Sequence, residues 1–259
     1  MKLIKKYAPG EFCWTDLGTT NADAAKKFYQ SLFGWKAKDV PMGTGDAKYS
    51  MMRVRGRDAC AIYPRPSEQR GTKSPPAWIP YVSVASANAT AKKAKAAGGK
   101  VCIGPMDFMD EGRGAILQDP TGATVGIWQA RKHHGAGLDD APGAVSWHDL
   151  STSRPKPAGT FYTKVFGWTL DEMAAGGNKY YLFKVGKKGE CGMWPEPMKK
   201  LPPCWVTYFQ VENCAKTVVK AKRLGGRVLM GTTLVPQMVR FAVLKDPQGA
   251  AFGILAPIR

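Results

Sequence analysis

Apolar positions along the chain switch between two periods. From residue 11 to 19 they fall on every second position, which puts Phe12, Trp14 and Asp16 on one face of a predicted strand. Thr20-Asn21 then offers a helix cap. Ala25, Phe28, Tyr29 and Leu32 follow at i, i+3, i+4 and i+7, one apolar helix face, and Gly34 ends the helix. Strand patterns come next at about 35–40, 48–54 and 58–63. After a Pro-rich stretch at 64–76 the same order restarts. A strand at 77–84 leads to an alanine-rich helix at 87–97, then strands near 100–104, 113–118 and 123–128. Asp119-Pro120-Thr121-Gly122 makes a tight turn before the last of these. The predicted unit is β-α-β-β-β.

The second half repeats the first. W-T-D-L from Trp14, F-Y at Phe28 and F-G-W at Phe33 recur 133 residues later as W-H-D-L from Trp147, F-Y at Phe161 and F-G-W at Phe166. P-P-A-W-I-P-Y from Pro75 recurs as P-P-C-W-V-T-Y from Pro202, and D-P-T-G-A from Asp119 as D-P-Q-G-A from Asp246, both at an offset of 127. The helix face returns as Ala158, Phe161, Tyr162 and Val165, with Pro157 near the helix start, where proline is tolerated. Four units result, at about 11–64, 77–130, 144–197 and 204–257. Residues 131–143 are a linker by composition. The expected fold is α+β, with two tandem domains at 1–132 and 141–259 joined by 133–140. Each domain is expected to own its core and to be separable.

Composition narrows the function classes. The 259 residues are 44% hydrophobic, normal for a globular protein. No apolar run is long enough for a membrane span, and the N-terminal residues show no secretory signal. Six cysteines are scattered, and only Cys60 and Cys191 match between the halves, so reduced thiols in a cytoplasmic protein are expected. The net charge of +18 is shared: residues 1–135 carry 21 basic against 11 acidic side chains, residues 136–259 carry 17 against 9. Lysines such as Lys92, Lys93, Lys216 and Lys220 sit on predicted helix surfaces, so a solvated surface is expected. Nucleic acid is expected to bind only non-specifically, because no basic-aromatic motif accompanies the charge.

The paired β-α-β-β-β units, F-Y…F-G-W after the first strand and D-P-x-G before the last resemble the glyoxalase / bleomycin-resistance / extradiol-dioxygenase (vicinal oxygen chelate) superfamily, and most closely its tandem two-domain glyoxalase-like proteins. The resemblance implies that each pair of units forms a cupped, mostly antiparallel sheet around a small-molecule site, where the family's enzymes usually hold a divalent metal. It also implies where the ligands should lie. The first-strand position falls at Trp14 and Trp147, the fifth strand begins at Trp78 and Trp205 with no histidine, and the eighth-strand carboxylate position is Gly126 and Gly253. The fourth strand offers no carboxylate except Glu190 just outside. Tryptophan offers only an N–H and glycine no side chain, so no metal is expected, with a divalent metal as the alternative.

The expected ligand site is instead aromatic: Trp14, Asp16, Trp78, Gly126 and Trp128 in one cup, and Trp147, Asp149, Trp205 and Gly253 in the other, with Leu255 in place of Trp128. Either these tryptophans line a cavity or they pack the cups shut. Arg113 and Arg240 match between the halves and would bind an anion if they pointed inward; otherwise they lie on the outer face. Tyr49 and Tyr180 are expected in the core, His148 on the face opposite Trp147, and His133 and His134 exposed in the linker. No catalytic residue is assigned. The leading expectation is a metal-free small-molecule binder. A glyoxalase-like lyase, isomerase or dioxygenase is the alternative, and a basic interaction protein the third. Oligomerisation is left open.

Overall fold

The computed structural model describes residues 2–43, 45–65, 75–175, 178–195 and 201–258. The four expected units are present. The first holds β2 (Phe12–Thr19), α1 (Ala22–Phe33), β3 (Lys36–Pro41), β4 (Lys48–Val54) and β5 (Arg57–Pro64); the second holds β6 (Ala77–Ser83), α2 (Ala87–Ala96), β7 (Lys100–Phe108), β8 (Gly112–Gln118) and β9 (Thr124–Ala130). The third holds β11 (Val145–Ser151), α3 (Pro155–Phe166), β12 (Thr169–Ala175), β13 (Asn178–Val185) and β14 (Lys188–Trp194); the fourth holds β15 (Cys204–Gln210), α4 (Cys214–Arg223), β16 (Arg227–Val235), β17 (Val239–Lys245) and β18 (Ala251–Pro257). A short pair, β1 (Lys2–Leu3) with β10 (Leu138–Asp139), ties the N-terminus to the linker. The helix ends follow the sequence. Asn21 caps α1 through its side chain, and Gly34 and Gly167 take left-handed φ of 74° and 73° at the ends of α1 and α3.

Each half is one eight-stranded sheet. The order is β3-β4-β5-β2-β6-β9-β8-β7 in the first and β12-β13-β14-β11-β15-β18-β17-β16 in the second. The first strands of the two units pair antiparallel at the centre, β2 with β6 and β11 with β15. On either side of them runs a parallel pairing with the last strand of the same unit. The sheet is therefore mixed, with all its remaining pairings antiparallel.

The cores are shared, contrary to the expectation of one per half. One core joins the first unit (Leu17, Phe28, Tyr29, Trp35, Met52) to the fourth (Phe209, Leu244, Phe252, Ile254). The other joins the second unit (Val82, Ala91, Leu117, Ile127) to the third (Phe161, Tyr162, Trp168, Phe183). Among the described residues each half also has a smaller cluster of its own on the other sheet face. The repeated motifs build this crossing. Trp78 Nε1 donates to the Tyr29 hydroxyl at 2.9 Å, and Tyr29 donates to Asp246 Oδ2 at 3.1 Å. In the mirror arrangement Trp205 Nε1 donates to Tyr162 at 2.8 Å, and Tyr162 donates to Asp119 Oδ2 at 3.0 Å. Trp35 and Trp168, the last residues of F-G-W, donate to the carbonyls of Gly143 and Gly10 at 2.9 and 2.8 Å. The D-P-x-G aspartate thus holds its own turn with one oxygen and the opposite half with the other.

Candidate functional site

The sheet faces turned away from the shared cores carry the two cups. In the first, Asp16 is 5% exposed. Its Oδ2 accepts from the Tyr49 hydroxyl at 3.0 Å and its Oδ1 from the Tyr81 hydroxyl at 3.3 Å. Trp14 Nε1 donates in turn to the Tyr49 oxygen at 2.9 Å. Trp14 and Trp128 stand in one cluster with Tyr49 and Tyr81. Gly126 pairs with Tyr81 in register, and a Cβ there would overlap the Tyr81 ring, so the glycine exists for that ring.

The second cup repeats the plan with more donors. Asp149 Oδ1 accepts from Tyr180 at 2.6 Å and Trp147 Nε1 at 3.0 Å, and its Oδ2 accepts from Trp194 Nε1 at 3.1 Å. Gly253 lies beneath the Tyr208 ring as Gly126 lies beneath Tyr81. The Tyr208 hydroxyl is buried and close enough to Asp149 to feel its charge, yet it completes no hydrogen bond of good geometry among the described residues. Phe241 and Leu255 close the wall.

Of the residues singled out from sequence, Trp14, Asp16, Gly126 and Trp128 come together, as do Trp147, Asp149 and Gly253. Trp78 and Trp205 do not. They lie in the shared cores, because Trp78 pairs with Leu17 and so faces away from Asp16, and Trp205 pairs with Leu150. A β-bulge between Phe12 and Trp14 likewise turns Phe12 into the core while Trp14 enters the cup. Arg113 lies on the helix side, donating to Asn88 at 3.1 Å and paired with Asp107 at 3.0 Å. Arg240 is also on that side, by a hollow that includes Asn213 and Cys214. Neither arginine reaches a cup. His133 is half-buried rather than exposed, meeting Trp14 edge-on at 4.6 Å, while His134 is exposed as expected. His148 lies on the strand face opposite Trp147, as expected, with Nδ1 3.2 Å from Thr207 Oγ1 and its ring centroid 4.3 Å from that of Phe12 in the other half.

Tyr49 and Tyr180, which the pattern predicts as core, and Tyr81 and Tyr208, which it leaves unassigned, surround the carboxylates. The signal was present, since both pairs repeat between the halves. Tyr81 is three residues from Trp78, an odd step, so the two face opposite ways on one strand.

Burial pushes Asp16 up from 3.8 to about 7, against the lowering effect of the Tyr49 and Tyr81 bonds. Burial also raises Asp149, against the bonds from Tyr180, Trp194 and Trp147. Burial pushes His148 down from 6.5 to about 3. The two named values pull stability in opposite directions. Between about pH 7 and 4 the folded chain holds a proton on Asp16 that the unfolded chain has released, so Asp16 adds stability as pH falls. Between 6.5 and about 3 the unfolded chain protonates His148 and the folded chain does not, so His148 removes stability as pH falls. The Tm of Asp16→Asn should therefore drop more steeply than that of the wild type between about pH 7 and 5, and the Tm of His148→Gln less steeply. Thermal unfolding against pH checks this; three parallel profiles would refute it.

The donor set does not fit a divalent metal. Each cup presents one carboxylate whose oxygens already accept from neutral donors. Among the described residues no group of three or more His, Cys, Asp or Glu converges. A cleft of about 650 Å³ lies between the halves, lined in part by Lys2, Tyr7, Trp147, His148 and Glu190, but neither Asp16 nor Asp149 is in its wall. Among the described residues no helix is long and apolar enough to cross a membrane. The six cysteines are unpaired.

Comparison with known proteins agrees with this architecture. The model of the Glyoxalase/Bleomycin resistance protein/Dioxygenase superfamily matches residues 12–127 and 144–254. A Mycobacterium bovis protein named "Putative glyoxylase CFP32" is 41% identical over 254 residues, 97% of each chain. The anthracycline biosynthesis protein DnrV of Streptomyces peucetius is 31% identical over 265 residues, covering 97% of this chain and 95% of DnrV. Among solved structures, the Mn(II)-bound glyoxalase from Novosphingobium aromaticivorans superposes with a TM-score of 0.67 at 15% identity, covering 96% of this chain and 83% of that one. The 2,2',3-trihydroxybiphenyl 1,2-dioxygenase of Sphingomonas wittichii gives 0.66 at 13% identity, over 96% and 91% of the two chains. At that identity the likeness is one of fold. With the family model matched over both halves, this chain belongs to the Glyoxalase/Bleomycin resistance protein/Dioxygenase superfamily.

Proposed function

We propose that this protein binds a planar organic molecule in its aromatic cups without a resident divalent metal, in the manner of a sequestering or sensing member of its superfamily, in the cytoplasm. One observation carries this. At equivalent places in both halves a buried carboxylate is ringed by tyrosine and tryptophan, and a glycine makes room for a tyrosine ring. Aromatic walls with a few convergent polar groups suit a flat ligand better than an ion. The relative at 31% identity, named an anthracycline biosynthesis protein, supports an organic small molecule as the ligand. The unpaired cysteines support a reducing compartment.

A second reading, a metal-independent lyase or isomerase, is favoured by Asp16 itself. A carboxyl near 7 can accept or return a proton at neutral pH. Titrating the full chain with naphthyl ligands tests the binding reading. Tryptophan emission should change saturably, because Trp14 and Trp147 form the walls, and Trp14→Phe or Trp147→Phe should reduce the change. A flat, non-saturating response would mean that the cups are closed by their own side chains.

A further inference from the structure

The equivalent carboxylates of the two cups are unequally coordinated. Asp149 accepts from Tyr180, Trp147 and Trp194, and the Tyr208 hydroxyl faces it as a fourth donor. Among the described residues Asp16 accepts from two donors, Tyr49 and Tyr81, at 3.0 and 3.3 Å. Sequence differences between the halves account for this. Trp194 is replaced by Tyr63, which stacks on Tyr49 with ring centroids 5.8 Å apart and has no hydrogen bond to Asp16. Gly192, which lets the Tyr180 hydroxyl close on Asp149, is replaced by Ala61. Trp14 spends its N–H on the Tyr49 oxygen, whereas Trp147 shares its N–H with the carboxylate.

A carboxylate offers about four lone-pair sites. Asp149 has nearly all of them filled or faced by neutral donors, while Asp16 keeps about two open. Among the described residues, the side chains that act on Asp16 are Tyr49 and Tyr81, and neither is a cation. Tyr63 on β5, and Cys60, feel its charge, and both are neutral groups; Arg65 acts on Tyr63 and donates to the Gly18 carbonyl, and His133 meets the rings of Trp14 and Trp128. A buried carboxylate with spare acceptor sites and no counter-charge is costly. What would satisfy it is a charged N–H donor, and ring faces stabilise the same kind of group. We propose that the first cup, and not the second, is a recognition site for an organic ammonium ligand, with Asp16 as counter-ion and Trp14, Tyr49 and Tyr81 as aromatic walls. This rests on the small-molecule reading above. The chain's charge of +18 opposes a cation at long range, but salt at physiological strength screens such fields beyond roughly 8 Å.

The test uses the full chain and three probes: naphthylmethylammonium, its neutral isostere naphthylmethanol, and naphthoate. Tryptophan emission and calorimetric stoichiometry are read for each. One ammonium site per chain is expected, with affinity about tenfold above that for the alcohol at about pH 8. Asp16→Asn should abolish that preference, and Asp149→Asn should keep it. Should Asp149→Asn fail to fold, Trp194→Phe replaces it, removing a donor from Asp149 and nothing from Asp16. The preference should also shrink towards about pH 5.5, where Asp16 is protonated and the probe keeps its charge. Equal binding of ammonium and alcohol, or a preference for naphthoate, would overturn the ammonium assignment and leave the aromatic-cup reading standing. A preference lost in the Asp149 or Trp194 variant but kept in Asp16→Asn would place the site in the other cup. Binding of none of the probes would remove both.

Discussion

Expressed separately, residues 1–132 and 141–259 should each fail to fold, and mixing them should restore a cooperatively folded complex. The reason is the crossing of the units. The first unit packs on the fourth and the second on the third, so each fragment alone exposes one side of both large cores. The first fragment would present Phe28, Tyr29, Leu32, Trp35 and Trp78 to water; the second would present Phe161, Tyr162, Trp168, Phe209 and Phe252. Burying one such side chain is worth about 1.5–3 kcal/mol, and a whole domain is stable by only about 5–15 kcal/mol. Five uncovered large side chains consume that margin. Circular dichroism and thermal unfolding of each fragment, and of the mixture, decide the matter. A fragment that unfolds cooperatively near the Tm of the full chain would show that the halves have sufficient cores of their own.

Trp78→Ala and Trp205→Ala should each destabilise the protein by about 3–5 kcal/mol, the cost of emptying a large buried aromatic site. Trp78 is 2% exposed and touches Tyr29, Trp35 and Phe209 at ring-centroid distances of 5.3, 6.2 and 5.0 Å. Its N–H also feeds the chain that runs through Tyr29 to Asp246. Tyr29→Phe should cost about 1–3 kcal/mol, because it strands the Trp78 N–H and one oxygen of a buried aspartate. Tyr29→Phe and Trp78→Phe should not be additive, with a coupling of about 0.5–3 kcal/mol. Denaturant unfolding measures all of these. Losses below about 1 kcal/mol for Trp78→Ala would mean that the tryptophan is not part of the shared core. None of these changes touches Asp16, so ligand binding by the folded variants should persist.

The sequence made the fold legible to a fine grain and the site only in part. Unit boundaries, the Asn21 cap and the Gly34 and Gly167 terminators follow from local chemistry, and local chemistry is readable in one chain. Which face of a strand looks into the cup depends on register and bulges, and those are set by partners remote in sequence. Two positions separate Trp14 from Asp16, so they share a sheet face; Trp78 faces the other way, since the register of β6 against β2 sets it beside Leu17. The duplication concealed the crossing as well. Tyr29 and Tyr162, like Asp119 and Asp246, repeat whether each tyrosine meets the aspartate of its own half or of the other. A repeated motif signals a shared role without saying which copy is the partner.

The cups and the crossed cores divide the repeated motifs between them. F-Y, F-G-W, the fifth-strand tryptophan and D-P-x-G hold the halves together, and Trp14, Asp16, Tyr49, Tyr81 and Gly126, with their counterparts, form the cups. On the proposed reading the cups bind their ligand without a resident metal. The most direct measurement is the naphthyl titration of native protein before and after exhaustive chelation, with elemental analysis of both samples. Unchanged binding curves, with far less than one metal per chain in each sample, are predicted. Binding lost on chelation and restored by one equivalent of zinc, manganese or iron would contradict the account.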